Sequence, residues 1–197
     1  ITIDGKDVRE IKIEDLRRLI GIVTQDAILF NDTIADNIAY GMPSASREQI
    51  IEAAKQANAH NFIVDGRHPD GYDTFAGEKG FRLSGGEKQR ISIARALAKN
   101  TPILVMDDST SALDMETEHE IQKTLHGLNH TTKLIIAHRI SAVRHADEII
   151  VLENGSIHER GTHEELMQKR GLYYATYLSQ YGAYTAPGVA DSHKKEA

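Results

Sequence analysis

Two strings hold the residues whose types and spacing could do chemistry: LSGGEKQR at 83–90 and ILVMDDSTSALD at 103–114. The first sets Ser84, Gly85 and Gly86 at the mouth of what reads as a long helix. A helix start presents unpaired N–H groups and positive partial charge, which suit a phosphate. The second runs a wholly apolar strand into two consecutive carboxylates, Asp107 and Asp108. Carboxylates at a strand end suit a magnesium ion and an attacking water. Phosphate cradle, strand and carboxylates in this order point to nucleoside-triphosphate hydrolysis. One part is missing. Nowhere between Ile1 and Ala197 does a G-x-x-x-x-G-K-[ST] loop occur, and the only Gly-Lys pair, Gly5-Lys6, is followed by Asp7. These residues carry half of a phosphate site.

The elements that must position them alternate between strand and helix signals, as an α/β fold does. Leu19 to Val23 reads as a buried strand closing on Thr24-Gln25. From 27 to about 98 helical signals dominate. Ser46 with Gln49 fits a capping box, and Ile50, Ile51, Ala54 and Ala57 repeat on one face. His68-Pro69-Asp70-Gly71 is a turn. The next helix opens at Gly85-Gly86 with Ile91, Ala94, Leu97 and Ala98 as its core stripe. Strands at 103–106 and 134–137 flank a helix through Ile121, Leu125 and Leu128. Asn154-Gly155 between apolar runs predicts a hairpin, and Thr162 with Glu165 caps a last helix. The chain thus reads as one partial domain over 1–184. The tail at 185–197 has almost nothing to bury and is expected to be disordered.

Composition narrows the function classes. Lys plus Arg total 23 against 29 Asp plus Glu, a net charge of −6. That balance disfavours a nucleic-acid surface, which needs basic stripes. There is no cysteine, so disulfides and thiolate metal sites are ruled out. The apolar runs are strand-sized, far short of the roughly 18 residues that span a bilayer. The chain opens at Ile1 with neither a methionine nor a signal-like segment. It reads as a soluble piece whose N-terminal portion lies elsewhere or is lost.

Taken together, the strings resemble the nucleotide-binding domain of ATP-binding-cassette transporters, in the exporter branch, from about Ile1 to Tyr181. LSGGEKQR is similar to the family's signature motif and ILVMDD to its Walker B strand. Ser111-Ala112-Leu113-Asp114 resembles the D-loop, Gln25 the Q-loop glutamine, and His138 in IIAHR the switch histidine. Gly77-Glu78-Lys79-Gly80 resembles the exporter X-loop that touches the transmembrane domains, and 29–41 the start of the helical subdomain.

The resemblance implies a P-loop-NTPase-like, mostly parallel sheet with a helical subdomain inserted at about 27–98. ATP and Mg²⁺ would be its cofactors. Ser84, Gly85, Gly86, Glu87 and Asp114 would face nucleotide across a dimer with a second such domain. Asp107 and Gln25 would hold Mg²⁺, and Asp108, His138 and Gln25 would serve hydrolysis. Transmembrane domains, fused N-terminally, would place the domain at the cytoplasmic face of a membrane. Each residue also has a plainer reading. Gln25 can simply end a strand, Asp114 start a helix and Glu78 be solvated, and the other nine of the ten histidines read as surface or packing residues.

Asp108 departs from the family's usual glutamate. Being one methylene shorter, it withdraws the carboxylate by a distance that can cost about a hundredfold in rate. Two readings follow: a slow, mainly regulatory half of a heterodimeric exporter, or a backbone shift that restores the reach in a competent, symmetric dimer. A soluble ABC ATPase of DNA repair or translation fits less well, given the acidic balance and the X-loop-like segment.

Overall fold

The structure is a computed structural model and describes residues 1–182; the tail expected to be disordered lies outside them. The chain divides into two compact units, residues 1–137 and residues from 138 onward.

In the first unit a two-residue hairpin, β1 (Thr2–Ile3) and β2 (Lys6–Asp7), precedes α1 (Ile13–Leu19). Its core is a three-stranded parallel sheet of β3 (Ile20–Val23), β4 (Ile103–Asp107) and β5 (Thr132–Ile136), in the order β3-β4-β5. Pairing runs Val23↔Met106 and Met106↔Ile135, so the three strands end on one edge. Between β3 and β4 lie α2 (Ile34–Ala39), α3 (Arg47–Gln56), α4 (His60–Val64) and α5 (Gly85–Ala98). The last helix of the unit, α6 (Met115–Gly127), follows β4.

Strand alternation decides which residues meet the helices. Val23, Leu104 and Met106 point to the covered face and are buried with Ile34, Ile38, Ile91, Ile121 and Leu125. Each such side chain contributes about 1.5–3 kcal/mol by leaving water. Gly21 lets α5 approach: a Cβ there would sit 2.9 Å from Thr101 Oγ1 and 3.4 Å from the Ala96 carbonyl. The other face is apolar but open, with Ile22, Leu134 and Ile136 about half exposed. Parallel sheets ordinarily have both faces covered.

A buried polar knot ties α2 to α5. Asn37, 1% exposed, exchanges hydrogen bonds with Phe30, accepting its N–H at 2.9 Å and donating to its carbonyl at 3.0 Å. Arg95 of α5 donates to the Asn37 carbonyl at 2.7 Å, to Asn37 Oδ1 at 2.9 Å and to the Ile28 carbonyl at 2.9 Å. Fully partnered networks of this kind fix one arrangement of the elements they join.

The second unit holds α7 (Ile140–Val143), the hairpin β6 (Ile149–Glu153) and β7 (Ser156–Gly161), α8 (His163–Lys169) and α9 (Leu172–Tyr181). Asn154 and Gly155 take φ of 50° and 75°, as a two-residue hairpin turn requires. Ile140, Ile149, Leu166 and Tyr173 form its small core. Thr162 and Glu165 form the expected capping box, but α8 is not the last helix. α9 has no cap from its own sequence. Instead Glu159 of β7 accepts the N–H groups of Leu172 at 2.7 Å and Tyr173 at 3.0 Å. No helix among the described residues is long and apolar enough to cross a membrane.

Candidate functional site

α5 begins where the glycine pair predicts. Ser84 is its N-cap: its hydroxyl oxygen accepts the Glu87 N–H at 3.3 Å, and Glu87 Oε2 accepts the Ser84 N–H at 2.8 Å. A cap of this kind contributes about 1 kcal/mol to the helix. The Ser84 hydroxyl also donates to Glu87 Oε2 at 3.0 Å. Glu87 is 7% exposed, so its carboxylate is turned inward and holds the loop from behind. Burial alone would raise this carboxyl. Hydrogen bonds from Ser84, with the charges of His68 and Arg67, outweigh burial and hold it below the ordinary glutamate value.

The glycines after Ser84 differ in their surroundings. A Cβ on Gly86 would meet the Ala112 carbonyl at 3.4 Å, so the start of α5 lies against the 111–114 loop of the same chain. A Cβ on Gly85 would meet nothing within 4 Å. Its bareness serves no packing among the described residues, and it leaves the first N–H groups of α5 open to a ligand.

β4 delivers the two carboxylates to the sheet's edge. Asp107, half-buried, is its last residue and pairs in register with Ile136. Asp108 takes a left-handed backbone, φ 42°, and donates its N–H to the Ile136 carbonyl at 2.8 Å. Its own carbonyl accepts the Ser111 hydroxyl at 2.9 Å. Aspartate is among the few residues that adopt this conformation readily, because its short polar side chain crowds the backbone little. The position thus favours Asp over Glu locally. Two residues past Val23, exposed Gln25 stands at the same edge, and Gln89 of α5 donates to the neighbouring Thr24 carbonyl at 3.5 Å. Edges of this kind, beyond the carboxyl ends of parallel strands, are where open α/β sheets bind ligands.

Asp114 caps α6, accepting the Thr117 N–H and hydroxyl, both at 2.9 Å. The Thr117 N–H and then its hydroxyl hold the Asp114 carboxyl below its usual value. Glu78 is exposed in a loop where Gly77, Lys79 and Gly80 all have positive φ. His138 opens the second unit with an exposed side chain, and its carbonyl accepts Gln180 Nε2 at 2.7 Å. So the sheet gathers Gln25, Asp107 and Asp108. Ser84 to Gly86 sit at a helix mouth, and His138 belongs to the other unit.

Among the described residues no three His, Cys, Asp or Glu side chains cluster to hold a metal. Asp107 and Gln25 do offer hard oxygen donors, which fits Mg²⁺. That ion takes one or two protein oxygens and completes its shell with phosphate and water. One pair escaped the reading of the sequence. Arg67 Nη1 stands 3.6 Å and His68 Nε2 3.8 Å from Glu87 Oε1, directly behind the helix cap. No motif signals it: Arg67 belongs to none, and His68 reads only as the start of the turn at 68–71.

Known proteins resemble this chain in sequence and in fold. A family profile described as ABC transporter matches residues 1–111. An ATP-dependent lipid A-core flippase of Syntrophus aciditrophicus (strain SB) is 56% identical over 182 residues, covering 92% of this chain and 30% of that protein. A candidate multidrug export ATP-binding/permease protein of Bacillus subtilis (strain 168), YgaD, is 52% identical over 181 residues, covering 91% of this chain and 31% of that protein. The solved structure of a bacterial Atm1-family ABC exporter with ATP bound matches with a TM-score of 0.87 and 48% identity, over 91% of this chain and 31% of that one. The chain therefore spans about a third of the length of these relatives. With its profile match, its parallel sheet and its capped glycine helix in one chain, this protein belongs to the ABC transporter family, as part of the nucleotide-binding domain of the exporter branch.

Proposed function

We propose that this chain is part of the ATP-hydrolysing motor of an exporter and works as one of a pair of such domains on a longer, membrane-embedded protein. The observation that carries this reading is the mouth of α5: a serine-capped helix whose first glycine is bare without any packing need of its own. Ser84, Gly85 and Gly86 would contact the terminal phosphate of an ATP held by the opposing domain. Asp114, at the α6 cap, would lie along the same interface. On the chain's own side, Asp107 and Gln25 would hold Mg²⁺, which supplies charge neutralisation at the phosphates. Asp108 would orient or deprotonate the attacking water, and His138 would hydrogen-bond the terminal phosphate. The stretch 27–98 would act as the helical subdomain, with Glu78 at a contact to transmembrane segments on the cytoplasmic side of the membrane. The bare apolar face at Ile22, Leu134 and Ile136 supports the longer protein, since a further layer would cover it.

A second reading, the slow regulatory half, rests on Asp108. Its left-handed backbone suits aspartate and holds the shorter carboxylate in place. Whether the partner is a second copy or a different domain separates the two readings.

Titration with Mg·ATP tests the phosphate assignment. No loop in these 197 residues grips the β- and γ-phosphates. The isolated chain should bind no tighter than about millimolar, worth about −4 kcal/mol. Micromolar binding would place the principal phosphate grip on this chain and overturn the reading.

A further inference from the structure

His68 is an oddity that the ATPase reading does not absorb. Its side chain is 12% exposed, and its Nε2 is buried without a hydrogen-bond partner. A buried polar atom left unpaired is costly, so its placement calls for a reason. Glu87 Oε1 lies 3.8 Å from it, just beyond hydrogen-bond range. The other oxygen of that carboxylate accepts both the N–H and the hydroxyl of Ser84. The imidazole, Glu87 and Ser84 therefore form one line ending at the mouth of α5.

The groups around His68 come from three elements. On its own loop, Arg67 is bound by Asp65, whose Oδ2 accepts the Arg67 Nε–H at 2.8 Å. On α4, Phe62 meets the imidazole edge-on, with ring centres 6.0 Å apart. On α5, Arg90 stacks over the Phe62 ring at 4.5 Å and donates to the Asn58 carbonyl at 2.9 Å. Arg67, largely exposed, already stands 3.6 Å from Glu87 Oε1 and Arg90 is turned to Asn58, so His68 is the buried ionisable group beside Glu87.

A buried carboxylate behind a phosphate-binding serine works against that serine in two ways. It repels the incoming anion, and it accepts the hydroxyl proton that the phosphate would need. We propose that His68 is a positioning residue for the phosphate contact of Ser84, acting through Glu87, and that its protonation strengthens that contact. Charged His68 donates its Nε2–H to Glu87 Oε1 and adds to the partial neutralisation that exposed Arg67 already gives the carboxylate. The Ser84 hydroxyl is then released to donate to phosphate, while the Glu87 carboxylate still accepts the backbone N–H of Ser84. This rests on the reading that Ser84 faces a phosphate.

The sign follows directly: apparent ATP affinity should be higher where histidine is charged and fall as pH rises. In the complete transporter, KM for Mg·ATP should increase about fivefold between about pH 6 and about pH 8.5 relative to the variants below, the size of a modest coupling between two sites. Taking the difference between proteins cancels titration of the nucleotide itself. His68→Gln keeps a donor toward Glu87 but cannot titrate, so this component should vanish. Glu87→Gln keeps the capping geometry without the charge, so KM should stay near its low-pH value throughout. A wild-type pH slope in either variant would overturn the proposal. Ser84→Ala is measured alongside. If it is silent, the phosphate reading itself has failed. If it impairs turnover while His68→Gln keeps the wild-type slope, only the role of His68 is wrong.

Discussion

Replacing Gly85 by alanine should uncouple stability from activity. At the first position of α5 a Cβ meets no atom within 4 Å, and alanine loses less conformational freedom than glycine on entering a helix. The variant should therefore unfold at the same temperature or slightly higher, a gain of about 0.5 kcal/mol. ATP turnover in the complete transporter should nevertheless drop about a hundredfold, because the added methyl stands where phosphate would approach the α5 N–H groups. Ser84→Ala should lower turnover by a similar factor by removing a hydroxyl donor. It should also cost about 1 kcal/mol of stability through the lost cap. Steady-state turnover and thermal unfolding of both variants separate the two effects. Loss of stability in Gly85→Ala would mean that the glycine serves the fold, and retention of its turnover would mean that no phosphate approaches there.

The second large effect is expected at Asp108. Lengthening it to glutamate should restore reach and raise turnover at this site about tenfold, equivalent to about 1.4 kcal/mol of barrier. The left-handed backbone sets a counter-effect: glutamate tolerates φ of 42° less well than aspartate, costing about 1 kcal/mol in stability. Asp108→Ala should abolish turnover under either reading. With the opposing site silenced, an Asp108→Glu variant that is destabilised but no faster would show that aspartate is already competent. The symmetric, fully active pair would then replace the regulatory half.

Legibility in the sequence followed how local each signal is. The capping boxes at Ser46 and Thr162, the helix opening at Gly85-Gly86 and the Asn154-Gly155 hairpin all formed, because their partners lie within a few residues. The three parallel strands were visible as short apolar runs between helices. α1 went unseen because Lys12 offers no side-chain cap, and its end was folded into the strand that begins at Ile20. α9 went unseen because its cap, Glu159, comes from β7 through the fold rather than through adjacent residues. The same limit applies to the site. Residue types marked Ser84 to Gly86 and Asp107-Asp108. Only the fold shows that the Glu87 carboxylate faces inward, that Asp108 is left-handed, and that His68, a surface or packing residue by sequence, ends against Glu87.

The central claim is that Ser84 of one domain and Asp108 of the other serve the same ATP. Mixed assemblies of two differently tagged full-length copies test it most directly. With Ser84→Ala on one copy and Asp108→Ala on the other, one of two composite sites keeps both groups, so turnover should stay at about half of wild type. With both substitutions on one copy and a wild-type partner, each site loses one group, and turnover should fall to background. The reverse pattern, with activity surviving only when both substitutions share a copy, would contradict the account and place each site within a single chain.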